Sequence, residues 1–186
     1  MAMLILGLIV WVAAHLFKRL ASGMRAGMQA RMGKRSKALF AAVILASLVL
    51  IIVGYRGADL VTVYTPGSGM THLNNTLMLF ALVIYSAGMS KGVLWTRVRH
   101  PQLVGTSLWA VAHLAVNGDL ASVLLFGTML AWAVATIFIA NAQDGPWQRP
   151  VAGKLKRDLV MVGGVLVAYG LIAGLHVWAG LSPFGG

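Results

Sequence analysis

RVRHPQLVGTSLWAVAHLAVNGDLASVLLFG, residues 97–127, holds the sharpest local motif of the chain. It opens on a basic Arg-His-Pro turn, runs through an apolar segment carrying a second histidine, His113, and meets an Asn-Gly-Asp turn before becoming apolar again. Pro101 after His100 suits the first turn of a helix, where a missing N–H costs nothing. Two apolar helices joined by a short polar turn are predicted, and the rest of the chain decides whether they stand in water or in lipid.

Composition answers that question. Of 186 residues, 59% are hydrophobic and only 10% are charged, with a mean hydropathy of +0.84. A soluble domain carries about 25% charged residues, so this chain has too little polar surface to cover a globule in water. It reads as an all-α, polytopic membrane protein, with the lipid bilayer as its first partner. The absence of cysteine excludes disulfides, thiolate ligands and covalent C-x-x-C-H haem attachment. There is no glutamate, and only Asp59, Asp119, Asp144 and Asp158 are acidic, which argues against two-carboxylate hydrolysis or a di-metal carboxylate site. The net charge of +11 suits anionic lipid and topology signals, and nucleic acid is not an expected partner.

A spanning helix needs about 20 mostly apolar residues. Six segments are predicted to cross, at 3–17, 38–54, 73–89, 102–117, 120–142 and 159–179, the first and fourth being short. The apolar start with Lys18 and Arg19 on its far side is the reverse of a signal peptide and reads as a retained span. Basic residues in short loops stay cytoplasmic. Lys18, Arg19, Arg25, Arg31, Lys34, Arg35 and Lys37 fall in the first loop, Lys91, Arg97 and Arg99 in the third, and Arg149, Lys154, Lys156 and Arg157 in the fifth, leaving only Arg56 elsewhere. About six spans with both termini extracytoplasmic are therefore expected, as a single domain over 1–186 in which 143–186 is a basic loop and the last span. Met24, Met28 and Met32, four residues apart among basic neighbours, predict an amphipathic interfacial helix in the first loop. The turn-rich loop at 55–71 lacks the Lys-Ser/Thr and the strand-to-helix context of a phosphate-binding loop.

An ionisable group within the bilayer is a functional candidate by default. His15 lies near the cytoplasmic end of the first span, where a neighbouring carbonyl suffices to satisfy it. Arg99 and His100 stand at the helix start, where capping or headgroup contact explains them as well as chemistry does. His72 sits at the outer entrance of the third span, and His176, beside Trp178, looks like an interfacial pair. His113 lies well inside its span and needs a partner there. Paired histidines on facing helices are a standard way to hold haem iron in a membrane bundle. Depth places His113 roughly 18 Å and His15 only about 5 Å from the cytoplasmic edge. Those depths pair His15 with His100 and His72 with His113, although an oblique haem or a tilted helix still allows His15 with His113.

A first span ending in His15 before a basic segment, then RHPQLVGTSLWAVAHLAVNGDLASVLLFG and Trp132, resembles the NnrU family of bacterial membrane proteins, most strongly over residues 1–140. The pattern is also similar to plant zeta-carotene isomerase, a polytopic protein that uses haem b to isomerise a polyene. The resemblance implies haem b with His15 and His113 as its ligands. It further implies redox, sensing or assembly work linked to nitrite and nitric oxide respiration in denitrifying bacteria. Ala110 stands where the isomerase has the cysteine implicated in a change of iron ligand, a departure that counts against isomerase chemistry. Isoprenylcysteine methyltransferases share the Arg-His-Pro, but this chain lacks the aromatic that usually follows and the glutamate of such a site. Two alternatives stay open. One is a cofactor-free accessory or assembly subunit of a larger respiratory or photosynthetic membrane complex, to which small residues such as Gly163, Gly164 and Gly170 would give close helix contact. The other is a haem-dependent isomerase of a hydrophobic carotenoid.

Overall fold

A computed structural model of the chain describes residues 1–184. Its regular elements are the α-helices α1 (Ala2–Leu20), α2 (Ser22–Met32), α3 (Lys34–Arg56), α4 (Met70–Ser90), α5 (Pro101–Val116), α6 (Leu120–Asp144) and α7 (Leu155–Trp178), with a 3-10 turn at Leu94–Thr96. Among the described residues there is no strand, and a single antiparallel bridge joins Thr62 to Asp119. The all-α expectation therefore holds.

Five helices, α1, α3, α4, α6 and α7, are long and apolar enough to cross a bilayer. The expected fourth span is α5, which has only 16 residues. At 1.5 Å per residue that is about 24 Å, short of a hydrocarbon core of about 30 Å. Pro101 at one end and the Asn117-Gly118 turn at the other bound it. The long helices outrun their apolar segments: α3 starts at Lys34 rather than Ala38, and α7 at Leu155 rather than Leu159. Hydropathy marks where lipid begins, whereas backbone hydrogen bonding carries a helix on into the polar flank.

The chain forms two compact units, one of Met1–Val63 with Asp119–Thr128, the other of Tyr64–Gly118 with the residues from Met129 onward. In the first, α1 and α3 are antiparallel and nearly touch backbone to backbone. A Cβ on Gly7 would stand 2.8 Å from the Ile51 nitrogen, and one on Gly54 would stand 2.2 Å from that of Leu4. Small residues permit such an approach in lipid, where helix association relies on close packing. Leu4, Leu8, Ile51 and Ala121 form the buried cluster. The predicted methionine-spaced helix exists as α2 and buries no residue, held by Arg25, whose guanidinium lies 4.3 Å from the Phe40 ring centre and donates to Ser36 Oγ. Asp119 caps α6, accepting from the Ser122 amide at 2.9 Å and from its hydroxyl at 2.6 Å. With that proton committed, the Tyr55 hydroxyl 2.8 Å away is the donor to Ser122.

In the second unit α4 and α5 form an antiparallel hairpin. A Cβ on Gly105 would lie 2.8 Å from the Ala81 carbonyl, and one on Gly88 would lie 2.7 Å from the Gln102 side chain. The hydroxyl of Tyr64 caps the far end of α5, donating to the carbonyls of Leu114 and Asn117. Along the other side of α4 runs α7, also antiparallel, with Asp158 beside Ser90 and Tyr169 donating to the Asn75 carbonyl at 3.5 Å. Leu159, Val160, Leu166, Val167 and Leu171 of α7 are all more than half exposed. Such a face is stable in lipid and a liability in water.

Candidate functional sites on the membrane helices

Two histidines are built into their helices in the same way. In α1, Trp11 precedes His15 by one turn, and His15 Nδ1 donates to the Trp11 carbonyl at 2.8 Å. The two rings stack with centroids 3.7 Å apart and planes 28° from parallel. In α5, His113 Nδ1 donates to the Trp109 carbonyl at 2.9 Å, with ring centroids 5.2 Å apart and tilted 50°. A carbonyl oxygen only accepts, so Nδ1 carries the hydrogen, and a neutral ring then has its lone pair on Nε2. Metal-binding histidines are held this way, with the second nitrogen tied to a carbonyl that fixes tautomer and ring orientation.

That backbone bond is also the ordinary means by which a helical histidine is satisfied in lipid, and His176 makes it to the Ile172 carbonyl at 2.8 Å. What sets His15 and His113 apart is the tryptophan on the preceding turn. The Trp-x-x-x-His spacing is present in the sequence at both places. Reading each histidine singly by depth passes over it.

Arg99 and His100 have a different role. The His100 carbonyl begins α5 by accepting from the Val104 amide, while its ring Nε2 meets Asn141 Oδ1 at 3.0 Å. Arg99 donates to the Gly145 carbonyl at 2.7 Å. Together they tie the start of α5 to the end of α6, the anchoring that their position allowed. His100 and His113 lie at opposite ends of α5, about 20 Å apart along its axis. The antiparallel hairpin puts His72 at the same end as His113, but His72 is exposed in the first turn of α4. His15 belongs to the first unit and the other histidines to the second.

Among the described residues, no three His, Cys, Asp or Glu side chains gather as a metal site. A donor set of single, tryptophan-backed imidazoles suits a haem, whose macrocycle brings its own nitrogens and needs only axial protein ligands.

Asp158 is the polar centre that composition did not single out. It is 3% exposed and accepts from Ser90 Oγ at 3.0 Å, the Val93 amide at 2.6 Å and the Leu94 amide at 3.1 Å. The loop between α4 and α5 is thereby pinned to the first turn of α7. Gly92 is required there, because a Cβ on it would lie 2.1 Å from the carboxylate. Its only sequence signal is that it is the lone acid among Lys154, Lys156 and Arg157.

A family model described as NnrU protein matches residues 3–183. The last helix, outside the stretch over which the resemblance is strongest, thus falls inside the match. No curated protein and no solved structure matches the chain.

Proposed function

Because the chain belongs to the NnrU family, we propose that it is a haem b protein of the bacterial inner membrane, ligating iron through His15 and His113, with redox, sensing or assembly work in respiratory nitrogen-oxide metabolism. The observation that carries this reading is the repeated Trp-x-x-x-His unit, with Nδ1 tied to the tryptophan carbonyl in both helices. Haem held by imidazole supplies one-electron redox chemistry. The chain's own contribution is to hold each ring in one tautomer, back it with an indole and surround it with apolar helix. Purified from cells able to make haem, the protein is expected to show a Soret band that is lost or shifted in His113→Ala and in His15→Ala. A colourless protein, or a spectrum unchanged by both substitutions, would overturn the assignment.

A cofactor-free accessory subunit is the second reading. It is favoured by α7, on which Gly163, Gly164, Gly170 and Gly174 all face open space, leaving room for a partner helix. Isomerisation of a carotenoid ranks below both, since the buried Ala110 supplies no ligand where the related isomerase has a cysteine. Methyl transfer ranks lower still: Arg99 and His100 are both engaged in anchoring α5.

A further inference from the structure

Between α4 and α7 the second unit has a groove of about 660 Å³ whose two ends differ in chemistry. Lys154, Lys156 and Arg157 line its mouth, while Met89, Met161 and Gly164 are among the residues that line the remainder. Nothing stands within 4 Å of the point where a Gly164 Cβ would lie, so the absent side chain opens the slot. The one acid in the same turn, Asp158, has its carboxylate engaged by Ser90 and the amides of Val93 and Leu94. Lys154 at the N-cap and Lys156 and Arg157 in the first turn of α7 thus gather three cations where the macrodipole disfavours them, with Arg157 also reaching the Lys91 carbonyl at 3.5 Å. Cytoplasmic retention accounts for the side of the membrane on which they lie, and the groove that continues from them into the apolar flank gives an anion with an acyl tail a place there.

Length narrows the occupant. Along α7 the lining runs from Lys154 to Ala168, about 21 Å at the rise of an α-helix, which equals one leaflet of a bilayer about 40 to 45 Å thick with its headgroups. Basic pockets between transmembrane helices are known to take anionic headgroups. We propose that this groove holds one anionic phospholipid, its phosphate at Lys154, Lys156 and Arg157 and an acyl chain along Met161 and Gly164. The assignment does not depend on haem.

The test uses the delipidated full-length protein, given phosphatidylglycerol or phosphatidylcholine of the same acyl chains in mixed micelles, with bound lipid counted by native mass spectrometry. One tightly held phosphatidylglycerol is expected, together with weak phosphatidylcholine binding and no displacement by inorganic phosphate. Exchanging all three cations for glutamine should weaken retention by up to roughly a hundredfold, at about fivefold per basic residue. Gly164→Leu, which fills the slot and keeps every charge, should weaken it as well. Equal retention of both lipids, displacement by inorganic phosphate, or an unchanged triple variant would overturn the proposal. So would a Gly164→Leu protein that binds as the unsubstituted chain does, since that would leave only surface attraction.

Discussion

His15 and His113 meet the same need in the same way: the Nδ1 hydrogen requires an acceptor, and the carbonyl one turn back accepts it. The neighbouring indole, stacked on His15 and tilted against His113, then limits the ring's rotation. Trp11→Leu and Trp109→Leu are expected to keep the iron ligand but weaken haem retention by roughly two- to tenfold each, the worth of an aromatic pair. Titration of the apoprotein with haemin measures it, and a larger loss for an exchange at Ile172 than at either tryptophan would contradict the assignment. Asp158 makes a second residue-scale prediction. Asp158→Ala leaves the Val93 and Leu94 amides without their acceptor, while Ser90 keeps the Ala87 carbonyl, and should cost about 2 to 4 kcal/mol, whereas Asp158→Asn keeps an acceptor and should cost less. Thermal unfolding in detergent ranks the two. Hydropathy and spacing located every histidine, yet not Asp158's role, because a carboxylate's partners are set by which loop returns to it.

At the scale of the helix, the apolar runs announced themselves and their ends did not. Gly7 and Gly54 are equivalent to Gly163 and Gly164 in composition, but the first pair meets another backbone and the second meets open space. Gly54→Ala should therefore destabilise the α1–α3 pair by several times the roughly 1 kcal/mol that Gly163→Ala is expected to contribute through helix propensity. The opposite order of melting temperatures would show that the two helices do not rely on this approach. The same contrast explains α5. Its apolar character was legible from residues 97–127, while its termination after 16 residues depends on Pro101 at one end and on Tyr64 capping the other.

For the whole molecule, parity of crossings is the open variable that α5 controls. If the short α5 crosses, with flanking residues or a thinned bilayer making up its length, the termini lie on the same side, as the basic loops predict. If it does not, five crossings put them on opposite sides. Alkaline phosphatase fused at either end is expected to be active, and a fluorescent protein fused at either end dark. Activity at one end only would remove the six-span arrangement. Membrane residence, the helical class and the candidate histidines were determined by the sequence itself, because transfer of apolar side chains into lipid is local and additive along the chain. Which glycines are contacts, that Arg99 and His100 tie the start of α5 to the end of α6, and that Asp158 pins a loop while its basic neighbours line a groove emerge from the packed helices. Those outcomes depend on pairs of residues up to 68 positions apart, and a non-local hydrogen bond leaves no periodicity for a linear reading to find.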